Sequence, residues 1–168
     1  MIVRLATPAD GPTLARVQLE TWRTAYRGLI SDAALNTHTV PERERFWSER
    51  FRQPKGSVFA AEEGSIIGFC ELIPSEDKDA DPKAFGELAE LYVLPEHWRK
   101  GAGRALCDRA LAEARRQEYR TVTLWALEMF GPARDFYQAM GFREDGCTKM
   151  ITLPDGSELH LIRLRVCV

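Results

Sequence analysis

Apolar residues recur along this chain in two rhythms, one of period two and one of period three to four. Val3 and Leu5 alternate with Arg4, which predicts a short opening strand. Thr7 then offers a cap, Pro8 suits a first helical position and Asp10 stands three residues after the cap. Leu14, Val17 and Trp22 give the next helix an apolar stripe running toward Tyr26. A second helix is expected after Pro41, anchored by Phe46, Trp47 and Phe51. "SVFAAEEGSIIGFCELI" reads as two strands about a turn at Gly64. Residues 74–86, "PSEDKDADPKAFG", are polar and hold two prolines, which predicts a mobile, solvated loop. Downstream, "ELAELYVL" and "RTVTLWAL" read as strands, "GRALCDRALAEARRQ" and "PARDFYQAM" as helices. "GFREDGCTKMITL" and "SELHLIRLRV" close the chain as an antiparallel pair about Pro154-Asp155-Gly156. The expected order is β-αα-βββ-α-β-α-ββ, a mixed α/β (α+β) fold.

Composition narrows the possible functions. The 168 residues suffice for one domain, 1–168, and neither repeat nor linker divides them. An apolar fraction of 45% with 29% charged residues is that of a soluble globular protein. A net charge of -2 argues against broad nucleic-acid binding. No apolar run is long enough to span a membrane, and the first residues lack the apolar core of a secretory signal. Cys70, Cys107, Cys147 and Cys167 form no CxxC pair, which fits reduced thiols in a cytoplasmic protein. Cys107, inside a helix, reads as a structural thiol. His38, His97 and His160 are scattered, so no metal is expected.

Chemistry enters at residues 91–104, "LYVLPEHWRKGAGR". A strand that turns through glycines into a helix leaves backbone N–H groups free at the positive end of the helix dipole, an anion site. Gly101 and Gly103 remove Cβ atoms that would hinder close approach, and Arg99, Lys100 and Arg104 supply cations suited to a diphosphate. The Walker pattern GxxxxGK[ST] is absent, and the dinucleotide pattern GxGxxG fails at Leu106. A plain strand-to-helix turn with solvated basic residues also accounts for a GxG.

"ELAELYVLPEHWRKGAGRALCDRAL" resembles the central motif of the GCN5-related N-acetyltransferases, where a strand ending in LYV-x-P precedes [QR]xxGx[GA] and a helix. "ARDFYQAMGF" is similar to that family's second signature, and residues 87–142 carry the match. Two departures stand out: Trp98 occupies the place of [QR], and Phe130 that of a frequent asparagine. The resemblance implies a single domain with a mixed, mostly antiparallel sheet flanked by helices. It also implies acetyl-CoA as co-substrate, no metal, and direct transfer to a primary amine in a ternary complex. Leu91, Tyr92, Val93, Arg99, Lys100, Gly101, Ala102, Gly103 and Arg104 would contact the coenzyme, with a backbone N–H near Val93 facing the thioester. Tyr137 matches the family's general acid.

For the base, Glu87 and Glu90 share a strand, and a spacing of three places them on opposite faces. The family's strand glutamate, counted back from the glycines, falls nearer Glu87. Trp22 and Tyr26, four apart on one helical face, are either core anchors or part of the amine pocket. The acceptor is expected to be a small-molecule amine. Two other readings stand: protein N-terminal acetylation, which needs an open groove between the first helices and the final hairpin, and an inactive CoA-binding module. The C-terminal strands offer an edge that two copies of a homodimer could share.

Overall fold

The computed structural model describes residues 1–168. The strands are β1 (Ile2–Leu5), β2 (Ser57–Glu63), β3 (Ser65–Pro74), β4 (Phe85–Val93), β5 (Thr121–Leu127), β6 (Arg143–Thr152) and β7 (Glu158–Cys167). The helices are α1 (Gly11–Ala25), α2 (Asp32–Leu35), α3 (Val40–Arg52), α4 (Ala102–Arg116) and α5 (Gly131–Ala139). The expected order holds, with one addition. α2 is a single turn whose Ser31 Oγ accepts from the Ala34 N–H at 3.0 Å. Four residues are too few to show an apolar stripe, so periodicity could not announce it. At the first helix, the Thr7 N–H donates to Asp10 Oδ2 at 2.7 Å, closing a 3₁₀ turn before α1 proper begins.

All seven strands form one sheet in the order β1-β2-β3-β4-β5-β7-β6, antiparallel throughout except between β4 and β5. One face packs on α4, where Leu106, Cys107 and Ala110 meet Phe59, Leu72, Leu88, Val122 and Leu124. The other face carries α1 and α3, where Leu14, Val17 and the fully buried Trp47 meet Phe69. Trp47 stands edge-on to Phe69 at 5.0 Å. Burying a side chain of that size stabilises the fold by about 3 kcal/mol. β6 is an outer strand, with Met150 and Ile151 exposed.

β4 is irregular in two ways, and both shape the cleft beside it. Glu71 pairs with Glu90, but Leu72 pairs with Leu88, so Ala89 is an extra residue in a β-bulge. The bulge shifts the phase of the pleat. Leu88 and Leu91 both face the α4 core, and Glu87 and Glu90 therefore share the opposite face. Simple alternation had set them on opposite faces; the unpaired residue between them is the reason it fails. The second irregularity is that β4 pairs with β5 only through Phe85–Thr121, Gly86–Val122 and Glu87–Thr123. Beyond Glu87 the two strands splay apart.

The loop after β3 departs from its expectation as a mobile, solvated segment. Arg163 on β7 is only 8% exposed and needs counter-charge. It takes Asp77 at 3.1 Å, Asp79 at 2.7 Å and, from β6, Asp145 at 2.8 Å. The Trp125 indole also donates to Asp77 at 3.0 Å. These aspartates pin the loop to the sheet and are not free to draw in a cationic amine. Arg163→Met should lower unfolding free energy by about 3 kcal/mol, because it strands buried carboxylates. Urea denaturation checks this. Arg163 also holds the Asp79 carboxyl below its ordinary range. The wild type keeps that contribution above pH 4 or so and loses it as acid protonates the group; the variant should lack this acid sensitivity.

Candidate active site

The splay leaves one edge of β4 without a partner strand. The Leu94 N–H donates to Ile67 O at 2.8 Å, so Ile67 and Leu94 form a hydrogen-bonded pair. Alternation along an antiparallel ladder makes Gly68 and Val93 the next, non-bonded pair. The Val93 N–H and C=O thus point away from β3, into the cleft. The carbonyl is already taken, by the Thr21 hydroxyl at 3.0 Å and the Trp98 indole at 2.6 Å. The N–H remains a free donor. Trp98, standing where the motif usually has glutamine or arginine, fastens the turn to the end of β4.

Next to it lies the N-terminus of α4. Arg99 and Gly101 both have left-handed backbone, φ +58° and +95°, which turns the amides of this loop toward one side. From Arg99 to Arg104 no backbone N–H finds an acceptor within the protein; the first helical bond there runs from Ala105 N–H to Gly101 O at 3.0 Å. Arg99, Lys100 and Arg104 are exposed, and none pairs with a carboxylate. Six amides without an acceptor in the protein and three cations outside any ion pair thus lie within residues 99–104 at the positive end of the α4 dipole, a combination suited to a diphosphate. The glycines have separate reasons. Gly101 supplies the positive φ, with open space where a Cβ would be. A Cβ on Gly103 would stand in ordinary contact with the Phe136 ring, 3.4 Å away, so α5 docks on α4 at this residue with room for a methyl group.

That docking positions Tyr137. Its ring packs against the α4-side core, 5.2 Å from Phe136 and 5.8 Å from Phe142. Burial first, then the charge field of Tyr26, Cys107, Cys70 and Glu90, push its phenol far above the ordinary range. It stays protonated and free to donate. Across the cleft, Glu90 receives the Gln18 amide at 3.4 Å on each oxygen. Gln18 is oriented by the Trp47 indole, which donates to its carbonyl oxygen at 3.1 Å. Burial, then the neighbouring Glu71, raise the Glu90 carboxyl to about 7. Glu87 sits elsewhere: in the paired part of β4, it accepts from the Glu76 N–H at 3.4 Å beneath the pinned loop. Burial raises its carboxyl too.

Trp22 and Tyr26 reach the same cleft as a half-buried edge-to-face pair with centroids 4.5 Å apart. Phe130 at the head of α5 adds a third ring, 5.3 Å from Tyr26. Beside these rings a cavity of about 240 Å³ is lined by Leu29, Ile30, Met129 and Leu159, with Ser31, Ser157 and Glu158 among its polar groups. Ser31 donates to Asp155 Oδ2 at 2.5 Å, tying the segment after α1 to the turn between β6 and β7. The sequence reading did not name Gln18, Glu71 or Phe130 as site residues. Phe130 carried a signal as a departure from the motif, whereas Gln18 and Glu71 are polar residues within apolar runs. Cys107 is fully buried and its thiol is pushed up to about 12, which suits a packing role and no nucleophilic one.

Substitutions at the two glycines separate their roles. Gly101→Ala should cost about 1–2 kcal/mol of stability through its left-handed backbone. Gly103→Ala should change stability little, since its Cβ would make only ordinary contact with the Phe136 ring and its backbone is not left-handed. Urea titration of both variants gives the comparison.

Comparison with known proteins agrees with this architecture. The family model described as "Acetyltransferase (GNAT) family" matches residues 18–142. The N-acetyltransferase YuaI of Bacillus subtilis is 36% identical over 141 residues, 82% of this chain and 77% of that protein. The PaiA N-acetyltransferase of Thermoplasma acidophilum, solved in complex with coenzyme A, superposes with a TM-score of 0.76 at 20% identity, covering 99% of this chain and 98% of that one. A ribosomal-protein-alanine N-acetyltransferase of Brucella melitensis gives 0.74 at 22% identity, with both chains fully covered. The chain belongs to the GNAT family and is an N-acetyltransferase.

Proposed function

We propose that the protein uses acetyl-CoA to acetylate the primary amine of a small molecule, by direct transfer while donor and acceptor are bound together. The observation that carries this reading is the free Val93 N–H in the splay, with an anion cradle at the head of α4 on one side and Glu90 on the other. The amides of residues 99–104, with Arg99, Lys100 and Arg104, hold the diphosphate; Leu91, Tyr92 and Val93 line the path of the thioester. The relative that holds coenzyme A supports the same donor here.

Each group then has one task. An ammonium has no lone pair, so Glu90 takes a proton before attack. An ordinary carboxylate is too weak for this, and its raised pKa suits the role. The Val93 N–H faces the oxyanion that develops on the thioester carbonyl. Tyr137 gives its proton to the departing thiolate and regains one from the amine nitrogen as the amide forms. The rings of Trp22, Tyr26 and Phe130 favour a cation and shield it from water. A buried phenol and a carboxyl of raised pKa flanking one cleft support turnover over an inactive binding module. The Ser31–Asp155 contact ties the segment after α1 to the β6–β7 turn, the two elements between which a protein N-terminus would have to enter, and this supports a small acceptor.

A thiol-release assay with acetyl-CoA against a broad amine panel tests the proposal. Turnover of at least one amine is expected, with initial-rate lines that intersect; no release with any amine would refute it. With that amine, kcat/KM should rise with pH through about 7 as Glu90 gives up its proton. Tyr137→Phe should lower kcat about 100-fold with little change in the KM for acetyl-CoA. Unchanged rates would remove Tyr137 from the mechanism.

A further inference from the structure

Glu71 is a carboxylate where the fold has little reason to keep one. It lies on the α1/α3 face of β3, opposite Val58 on β2 and Glu90 on β4, two residues from Phe69. Its side chain is 0% exposed. Neither oxygen receives a well-formed hydrogen bond; the one counter-charge in reach is Arg50 Nε, 3.1 Å from Oε1. Arg50 lies over the Phe46 ring at 5.3 Å, which fixes the guanidinium from the far side. An apolar residue of similar volume would pack there as well or better.

We propose that Glu71 is a positioning residue for the base: its ionised carboxylate, held by Arg50 and set directly across the strand pair from Glu90, strengthens Glu90 as a proton acceptor. The inference rests on the reading of Glu90 as the base. Directly opposed residues on neighbouring strands bring their Cβ atoms within about 5 Å. Two carboxylates so close, in surroundings of low dielectric, do not ionise independently. Burial raises the Glu71 carboxyl too and Glu76 adds to it, while Arg50 and then Lys55 draw it down. With Arg50 in contact, Glu71 is the member of the pair that carries the charge, and that charge opposes ionisation of Glu90. The other groups facing Glu90 are Gln18 and Tyr26 from α1, Arg43 and Arg50 from α3, Tyr92 from β4 and Tyr137 from α5. Among the charges, Glu71 raises the Glu90 carboxyl, while Arg43 and then Arg50 lower it. Burial raises the Glu90 carboxyl most, and Glu71 adds to that rise against the two arginines.

The test is the acid limb of kcat/KM, measured between about pH 5 and 9 with an amine that the wild type turns over. Glu71→Gln should move the midpoint down by about one pH unit, and the apolar double variant Glu71→Leu/Arg50→Leu, which also removes a cation that lowers the Glu90 carboxyl, should move it down by less. Near pH 6 the rate of Glu71→Gln, as a fraction of its own plateau and against the wild type's, should rise about fivefold. The amine ionises identically in every assay, so the displacement reads the enzyme. A role in packing alone would change stability or plateau rate and leave the midpoint still. Glu90→Gln separates the two layers. A limb lost in Glu90→Gln but unmoved by both Glu71 variants overturns this inference alone; a limb that survives Glu90→Gln overturns the base assignment and this inference with it. Should neither Glu71 variant fold, carboxyl ¹³C titration of the wild-type protein decides. Two coupled steps at Glu90 support the pairing, and one simple step overturns it.

Discussion

The structure turns on where two parallel strands stop pairing. β4 and β5 share three residue pairs and then diverge, and a sheet that loses a partner strand exposes backbone donors and acceptors that must be answered. On β4 the Val93 carbonyl is answered from within, by Thr21 and Trp98. The amide finds no acceptor within the protein. The cleft is thus an interruption in the sheet itself, and its walls are the elements that flank the interruption: α1 on one face, α4 and α5 on the other.

Rigid packing surrounds that opening. Phe136 rests against Gly103, so the helix carrying Tyr137 is seated on the helix that heads the anion cradle. On the other face, the buried indole of Trp47 fixes Gln18, whose amide then faces Glu90. Tyr137 and Glu90, the acid and base of the proposed mechanism, are each held by a neighbour that itself sits in a hydrophobic cluster. Such support keeps reactive groups within the tolerance that proton transfer requires.

Much of this could be read from residue order. Period-two and period-three-to-four patterns located all seven strands and four of the five helices, and the glycine turn between β4 and α4 carried its chemistry openly. What stayed hidden depends on long-range pairing. Ala89 carries no local signature of a bulge; its effect exists only against the register of β3. The aspartates after β3 look like solvent-facing residues until Arg163, more than eighty positions later, folds beneath them. Trp98 and Phe130 read as losses in the motif, yet one secures the turn and the other joins an aromatic cluster. Glu71 sits in an apolar run, and nothing nearby in sequence reveals that it faces another carboxylate.

The extra residue at Ala89 also governs how this chain should be aligned with others. Counting back from the glycines is safe as far as Glu90, where β3 and β4 are still in one register. Past that point every position slips by one, so a chain without the insertion would present at the place of Leu88 the side chain that Glu87 presents here. A gap opened anywhere else in the strand equates residues from opposite sides of the sheet. Acidic residues matched in that way would share a column and no chemistry.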